Sequence, residues 1–198
     1  MATIINASTS AGLIQTADTS GTLQLQSNGV TQQTIDSTGS YGQLARGTAQ
    51  ASTSGTSITF SSIPSWVKRI TVIFQGFSTS GTSTPLVQIG SGSATTSGYL
   101  GSASFVAASN VTGVVAATAG FPIAGISAAN IRHGQMVLAN ISGNTWVSAT
   151  AGGFSDAAAV LMGGGSVTLS GVLDRVIITT VNGTDTFRVG SINILYEG

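Results

Sequence analysis

Asp174-Arg-Val-Ile-Ile-Thr-Thr-Val-Asn-Gly-Thr-Asp-Thr-Phe-Arg-Val-Gly-Ser-Ile-Asn-Ile-Leu-Tyr-Glu-Gly198 contains two β-branched runs on either side of Asn182-Gly183. An Asn-Gly pair favours a tight hairpin turn, because both residues tolerate positive φ. After the turn, apolar residues recur with a period of two, which is typical of a strand and not of a helix. The alternation predicts that Phe187 and Leu195 share one face of that strand, with Ile192 on the other. We therefore predict a closing β-hairpin that pairs into the centre of a sheet.

Shorter segments upstream carry similar strand and turn signals. Residues 132–140 and 144–150 are predicted to pair as a hairpin. Residues 107–129 are predicted to form loops around one short strand. Two glycine runs are predicted as flexible crossings between strands, namely Gly152-Gly153 and Gly163-Gly164-Gly165. Short strands separated by turn signals are typical of antiparallel sandwiches and barrels, so the predicted fold is all-β, an antiparallel jelly-roll-like β-sandwich.

An extended arm at residues 1–45 is predicted to precede a head domain at residues 57–198, with a linker at residues 46–56. The arm contains a second hairpin candidate with Asn28-Gly29 at its turn. Its flanking apolar residues are few, and they are Leu23, Leu25, Val30 and Ile35. An isolated hairpin is marginally stable in water, but three chains wound together would share these residues along an axis. The alternative is a disordered polar arm, because Ser, Thr, Gln and Gly dominate it.

Composition limits the classes of function. Only 6% of the 198 residues are charged, against about 25% in an average soluble domain. Six cationic side chains balance six acidic ones. A nucleic-acid groove needs clustered cations, so nucleic acid is not an expected partner. An uncharged surface carries no charge-desolvation penalty when it is buried against another copy, which favours an oligomer.

Neither membrane insertion nor thiol chemistry is expected. The chain has no Cys, so it offers no disulfide and no thiolate. Its first residues lack the basic start and apolar core of a secretion signal, and no run approaches the roughly 18 apolar residues that a membrane helix requires. We expect synthesis in a cytoplasm, followed by assembly into a particle as the route to any outside location.

The few ionisable groups form no recognisable catalytic motif. Glycoside hydrolysis needs two carboxylates that flank one bond, and the nearest candidates are Asp174 and Asp185. Asp185 is instead expected to accept backbone amides in its own turn. His133 is the only histidine, and it is expected at a strand edge or a subunit contact. With no nucleophile elbow and no phosphate-loop lysine, we predict no catalytic residue, no cofactor and no metal site.

Three aromatic residues are candidates for contacts with glycans or between subunits: Trp66, Tyr99 and Trp146. Trp and Tyr suit such contacts because each combines a large apolar ring with a polar group. The other interpretation of Trp66, which follows Ile63-Pro64-Ser65 and precedes a strand, is a lid on the core or a plug in an interface.

Several longer motifs are spread over about residues 57–198. They are Ser62-Ile-Pro-Ser-Trp-Val-Lys-Arg-Ile-Thr-Val-Ile-Phe74, Pro85-Leu-Val-Gln-Ile-Gly90 with Ser97-Gly-Tyr99, Asn144-Thr-Trp-Val147, Leu169-Ser-Gly-Val-Leu-Asp-Arg-Val176, and Asn182-Gly-Thr-Asp-Thr-Phe187 with Ser191-Ile-Asn-Ile-Leu-Tyr-Glu197. Together they resemble a carboxy-terminal domain that recurs in bacteriophage virion and prophage proteins. Residues 21–39 are similar to the short β-repeats that begin many phage fibre and appendage proteins, which are usually homotrimers.

The resemblance implies a particle-surface component without catalytic residues. We therefore expect a non-enzymatic structural protein of a phage virion: a homotrimeric capsid decoration, head fibre or knob, or short tail fibre, docked on another virion protein by its N-terminal arm. The alternative is a host-receptor adhesin in which Trp66, Tyr99 and Trp146 bind surface glycans. A polysaccharide depolymerase is a further alternative, and it predicts that Asp174→Asn or Asp185→Asn abolishes activity.

Overall fold

Two antiparallel β-sheets that share one apolar core make up residues 44–198 in a computed structural model of the protein. The structure describes residues 23–27, 29–36, 39–40, 44–108, 112–127 and 129–198. Every strand pair within these ranges is antiparallel. The predicted all-β fold with antiparallel sheets is confirmed, whereas the likeness to a jelly roll stays a prediction.

A separate compact unit ends at Gln43. Its described strands pair in chain order, and they are β1 (Leu23–Ser27), β2 (Val30–Asp36) and β3 (Gly39–Ser40). Leu23 lies opposite Ile35, and Gly29 lies in the turn between β1 and β2 at φ 75°. The structure pairs β1 with β2 at the predicted turn, whereas the extended, hairpin-containing arm stays a prediction. Residues 1–22 of the predicted arm lie outside the described residues.

The larger sheet, called the large sheet below, contains nine of the described strands. They are β4 (Leu44–Arg46), β5 (Gln50–Ala51), β7 (Arg69–Thr79), β10 (Leu100–Ala107), β11 (Thr112–Ala116), β13 (Arg132–Ser142), β14 (Thr145–Phe154), β15 (Ala159–Thr168) and β17 (Phe187–Glu197). Their order across the sheet is β11-β10-β15-β14-β13-β7-β17-β4, and β5 also pairs with β17. The predicted hairpin of residues 132–150 is confirmed as β13 and β14.

The small sheet contains five of the described strands. They are β6 (Ile58–Ser61), β8 (Pro85–Ser91), β9 (Ser93–Ala94), β12 (Phe121–Pro122) and β16 (Arg175–Thr180). The chain passes repeatedly from one sheet to the other, so consecutive strands often face each other across the core. Residues 46–56, predicted as a linker, contain β5 and the end of β4, both paired with β17.

Inward-facing side chains of both sheets form one core. Ile70 and Val72 of β7 are fully buried, as are Ile89 of β8 and Ile178 of β16. β7 and β16 are rich in β-branched residues, which suit a pleated surface. Burial of apolar area, at about 25 cal/mol per Å², is the main term that holds the two sheets together.

The prediction of a closing hairpin is wrong. β16 pairs with β6 and β8 in the small sheet, whereas β17 pairs with β7 in the large sheet. The tight turn does form, because Asn182 Oδ1 accepts hydrogen bonds from the amides of Thr184 at 3.0 Å and Asp185 at 3.2 Å. A turn signal is local and does not choose the partners of its flanking strands. Here it forms an arch that carries the chain from one sheet to the other.

The simple alternation predicted for β17 is also wrong, because the strand is irregular. Its register with β7 shifts on both sides of Val189. Gly190 follows at φ 90°, a conformation that favours glycine. The irregularity shifts the alternation of inward and outward side chains, so Phe187 is buried along with Ile192 and Ile194. A bulge of this kind re-aims side chains within one strand.

The glycine runs lie inside strands, so the prediction of flexible crossings is wrong. Gly152 pairs with Gly134 and Leu161, and Gly164 pairs with Ala149 and Ser102. A Cβ at Gly152 would collide with the backbone carbonyl oxygen of His133. These glycines therefore allow a close approach of neighbouring strands, which is a recognised use of glycine within a sheet.

Candidate functional site

The outer face of the large sheet is a candidate interaction surface. On β10, Ala103 and Phe105 point into the core, so Ser102, Ser104 and Val106 point outward. The register carries this face across the neighbouring strands. Ser104 lies opposite Met162 of β15 on one side and Val114 of β11 on the other.

Large apolar side chains are concentrated at the β11 end of this face. The apolar patch, as we call it below, consists of the exposed large apolar residues of β10, β11 and β15, which are Leu100 (72% exposed), Val106 (44%), Val114 (77%), Val160 (51%) and Met162 (53%). Together these side chains expose on the order of 500 Å² of apolar surface, near the upper end of the largest patch that an ordinary monomer shows. Large exposed patches of this kind mark interaction sites.

The part of the face around the patch carries no charge. The four neighbouring strands β11, β10, β15 and β14 contain no Asp, Glu, Lys, Arg or His. An ion pair lies toward the other edge of the sheet, where Arg69 Nη1 is 3.5 Å from Glu197 Oε1. Burial of the charge-free half against a second protein would therefore desolvate no ionised group of this chain.

A shallow groove crosses the patch. It has a volume of about 460 Å³ and runs over Ser102, Ser104 and Gly164 between Val114 and Met162. The groove forms because glycine and serine side chains are small, whereas the valine and methionine on either side stand above the sheet. The surface thus combines projecting apolar side chains with an adjacent depression.

Tyr99 lies in the core and not at the surface. Its side chain is fully buried, with the ring 4.9 Å from that of Phe121 in an edge-to-face arrangement. The hydroxyl donates to the carbonyl oxygen of Ile89 at 3.1 Å and accepts from the amide of Ile89 at 2.8 Å. The prediction that Tyr99 contacts glycans is wrong, because no face of the ring is exposed.

Tyr99→Phe is expected to lower the free energy of unfolding by about 1–2 kcal/mol at neutral pH, because the buried amide of Ile89 loses the phenol oxygen as its acceptor. The carbonyl oxygen of Ile89 loses the phenol as a donor but still accepts from the amide of Thr95. Burial raises the pKa of Tyr99 to about 12, above the value of about 10 in an unfolded chain. The folded state therefore binds the phenol proton more tightly, and this stabilisation is lost as the pH rises from about 10 towards 12.

Urea unfolding of both proteins at several pH values measures this effect. The advantage of wild type over Tyr99→Phe is expected to fall by on the order of 1 kcal/mol between about pH 9 and pH 11. Other groups titrate in both proteins and cancel in the comparison. A constant difference across this range would contradict the assignment.

The two tryptophans lie in different environments. Trp146 of β14 is only 3% exposed, so its predicted contact with glycans or subunits is wrong for the chain as folded. Trp66 is half-buried, and its ring lies 5.9 Å from that of Tyr196. Tyr196 also lines a polar cleft of about 380 Å³. Trp66 therefore remains a candidate for contact with a ligand or another subunit.

The structure gives the exposure of only some of the apolar side chains that were predicted to line the arm. Leu23 and Leu25 of β1 are about two-fifths exposed, at 39% and 41%. Val30 begins β2, and Ile35 lies opposite Leu23 near its end. Two exposed leucines two residues apart on one strand face are compatible with a shared apolar contact, which stays a prediction.

Arg132 is the ionisable residue with the most unexpected position, and it is only 2% exposed. Its guanidinium donates to the carbonyl oxygens of Ser127 at 2.8 Å, Asn130 at 2.9 Å and Ala124 at 3.4 Å. It also lies 5.7 Å from the ring centroid of Phe77. Burial lowers the pKa of Arg132 to about 10, although the charge of nearby Asp156 opposes this shift. The group therefore remains charged at neutral pH and organises the loop before β13.

His133, the next residue, is not at a sheet edge. It lies on β13, between β14 and β7, opposite Gly153 and Gln75. The prediction of an edge position is wrong, because β13 is one of the central strands of the large sheet.

The two carboxylates considered for glycoside hydrolysis lie far apart. Asp174 accepts from the amide of Gly92 before β16, and Asp185 accepts from the amide of Ser83 beyond the other end of β16. The six residues of β16 span roughly 20 Å, well beyond the roughly 5–9.5 Å between paired glycosidase carboxylates. The pairing is therefore wrong.

Each of these carboxylates has local partners. A hydrogen bond from Arg175 lowers the pKa of Asp174, and one from the side chain of Asn182 lowers that of Asp185. Asp185 was expected to bind amides within its own turn, but its backbone contact is with the neighbouring loop. Among the described residues, no group of three or more His, Cys, Asp or Glu side chains is placed to hold a metal ion.

Comparison with protein-family models, with curated proteins and with solved structures found no match. In the part of the chain that the structure describes, no helix is long and apolar enough to cross a membrane. Residues 159–166 were not predicted as a strand, so the apolar patch was not predicted. The alternation of Leu100, Ser102, Ser104 and Val106 with the buried Ala103 and Phe105 was the available signal.

Proposed function

We propose that this chain is a non-enzymatic, homotrimeric structural component of a bacteriophage virion. It would serve as a surface appendage, either a capsid decoration, head fibre or knob, or a short tail fibre, docked on another virion protein by its N-terminal arm. The observation that carries the proposal is the charge-free half of the large sheet, formed by β11, β10, β15 and β14. Such a face suits permanent burial between subunits.

An uncharged surface protects a free monomer poorly and costs little to bury in an assembly. Soluble monomers usually keep a mixed charged surface, which limits self-association. This chain has net charge zero, and only 6% of its residues are charged. The exposed apolar residues of the patch would stabilise an assembly at about 25 cal/mol per Å² buried. With no ionised side chain on the four strands, no charge-desolvation penalty offsets that gain.

The N-terminal hairpin supports the second part of the proposal. Leu23 and Leu25 are both partly exposed on β1, and an isolated two-stranded hairpin such as β1 and β2 is marginally stable by itself in water. Contact with other copies or with another virion protein would bury these leucines. The arm then acts as the anchor, and the sandwich forms the exposed head.

The full chain is expected to have a solution mass three times its own 19.6 kDa when measured by multi-angle light scattering. Because the proposed contact lacks charges, the mass is expected to stay constant between low salt and about 1 M NaCl, where exposed ion pairs are screened. A monomer at all concentrations would contradict the trimer. A trimer that dissociates in high salt would contradict an uncharged interface.

The virion assignment needs a separate experiment. Particles purified from a phage-producing culture of the strain that encodes the chain are expected to contain its peptides by mass spectrometry, in a fixed ratio to the major capsid protein. Deletion of the coding sequence is expected to remove these peptides and leave particles that lack the appendage. Particles that never contain the chain would overturn the virion assignment without affecting the solution mass.

A glycan-binding adhesin is the second candidate, and the polar cleft beside Tyr196 is the observation that favours it. The cleft is lined by Arg46, Thr48, Gln50 and Thr59, among others, and the ring of Trp66 packs against Tyr196. Hydroxyl, amide and guanidinium groups beside aromatic rings suit sugar hydroxyls. On a glycan array, Tyr196→Ala is expected to lose the glycan binding of the wild-type protein, whereas Tyr99→Phe is expected to retain it. Loss of binding in both variants, or in neither, would argue against this cleft.

A further inference from the structure

The apolar patch has a regular internal arrangement. Val114, Ser104 and Met162 form one row across three adjacent strands, because Ser104 is the register partner of both other residues. In the next row along the strands, Ser102 lies between Ala116 and Gly164. A row with two projecting apolar side chains therefore lies beside a row of small residues.

This arrangement is complementary to itself. Adjacent outward residues on one strand are about 7 Å apart, since successive residues rise by about 3.4 Å. A second copy of the patch, shifted by one row, would place its Val114 and Met162 over the small residues of the first. The groove of about 460 Å³ provides space for such side chains. Interior-like packing at the centre of an interface requires this kind of fit.

The charge-free half also supplies a large part of the area that a specific contact needs. Four strands about 4.8 Å apart, up to ten residues long, cover a footprint on the order of 500 Å² before the relief of the side chains is counted. A standard protein–protein interface buries about 800 Å² per partner, so this half of the face supplies most of that area.

We propose that the apolar patch on β10, β11 and β15 is the surface through which copies of this chain contact each other. The inference rests on the proposed homo-oligomer and assigns it a location. The occupant is a second copy, because the same face is charge-free, of suitable area and self-complementary in shape. A partner with a charged surface would leave its own charges buried without counterions on these four strands.

Site-specific cross-linking tests the location directly, and the chain has no native Cys to interfere. Ser104→Cys places one thiol at the centre of the patch. Treatment with a short bis-maleimide is expected to link two copies in high yield at micromolar protein. Val172→Cys, at an exposed position outside the patch (56% exposed), is the matched control and is expected to remain unlinked. Equal yields for both variants would overturn the proposed location.

Charge insertion tests the energetic part of the proposal. Val114→Glu combined with Met162→Glu is expected to convert the oligomer into a monomer at micromolar concentration, because the contact would bury four or more uncompensated carboxylates per assembly. Far-UV circular dichroism and the thermal midpoint of the monomer show whether the sandwich is intact. Val172→Glu is the matched control and is expected to retain the oligomer.

The outcomes separate the two proposals. An oligomer that survives the double substitution would overturn the patch and leave the oligomer of the proposed function standing. A wild-type monomer would overturn both. A wild-type dimer that the double substitution dissociates would support the patch and contradict the threefold assembly. If the double variant fails to fold, the cross-linking of Ser104→Cys decides the location alone.

Discussion

Arg132→Met is expected to lower the free energy of unfolding by about 3 kcal/mol or more. The guanidinium binds three carbonyl oxygens of residues 124–130, and it lies within 6 Å of the ring centroids of both Phe77 and Phe154. Methionine has a comparable length but no donors, so these acceptors would lose their partners inside the protein.

Urea unfolding followed by tryptophan fluorescence provides the measurement. The matched control is Arg188→Met, because Arg188 is an exposed arginine on β17 and its removal is expected to change stability by less than about 0.5 kcal/mol. Arg132→Lys is expected to be nearly as damaging as Arg132→Met, since one ammonium group cannot reproduce a planar fork that reaches several carbonyls. A loss below about 1 kcal/mol for Arg132→Met would show that the loop holds without the guanidinium.

Gly190→Ala is expected to cost about 3 kcal/mol for two reasons that act together. Gly190 has φ 90°, a conformation that costs an L-residue about 1–2 kcal/mol. An added Cβ would also collide with the backbone carbonyl oxygens of Gln75 and Gly76 on β7, which cannot move without breaking the pairing of β7 and β17. Overpacking of this type typically adds 1–3 kcal/mol.

Gly183→Ala separates the two contributions. Gly183 also has positive φ, at 68°, but a Cβ there would meet nothing within 4 Å. Its substitution is expected to cost only the conformational part, about 1–2 kcal/mol. The difference between the two variants in thermal or urea unfolding then measures the steric part. Equal losses would mean that the bulge of β17 relaxes around the added methyl group.

The fold class could be predicted because it depends on local signals. Period-two alternation and Asn-Gly or Gly-Asn turns identified the N-terminal hairpin and the pair β13 and β14, both of which the structure contains. The turn at Asn182-Gly183 was equally clear, but its flanking strands lie in different sheets. Two hydrophobic strands can bury their apolar faces by pairing side by side or by packing across a core, and the local pattern is the same in both cases.

The candidate glycan-binding residues were misplaced for the same reason, because a local pattern does not show which side chains become buried. Tyr99 and Trp146 carry the chemistry of a glycan contact, but a ring that suits a sugar also suits a core, and only the packing places both in the core. Glycine runs indicate flexible crossings when they stand between strands and close approach when they lie within them. Residues 163–165 belong to the second case, because they pair with residues 101–103 within the large sheet.

Composition and period-two patterning are local properties, so they already establish a β-rich chain that is nearly uncharged and has no thiols. They do not show which uncharged residues share one outer face or which arginine is buried, because both depend on how the strands pack. Leu100, Val114 and Met162 are far apart in the chain and come together through the register of β10 with β11 and β15. Strand register is a non-local property that depends on burial across the whole sheet, and no short segment contains that information.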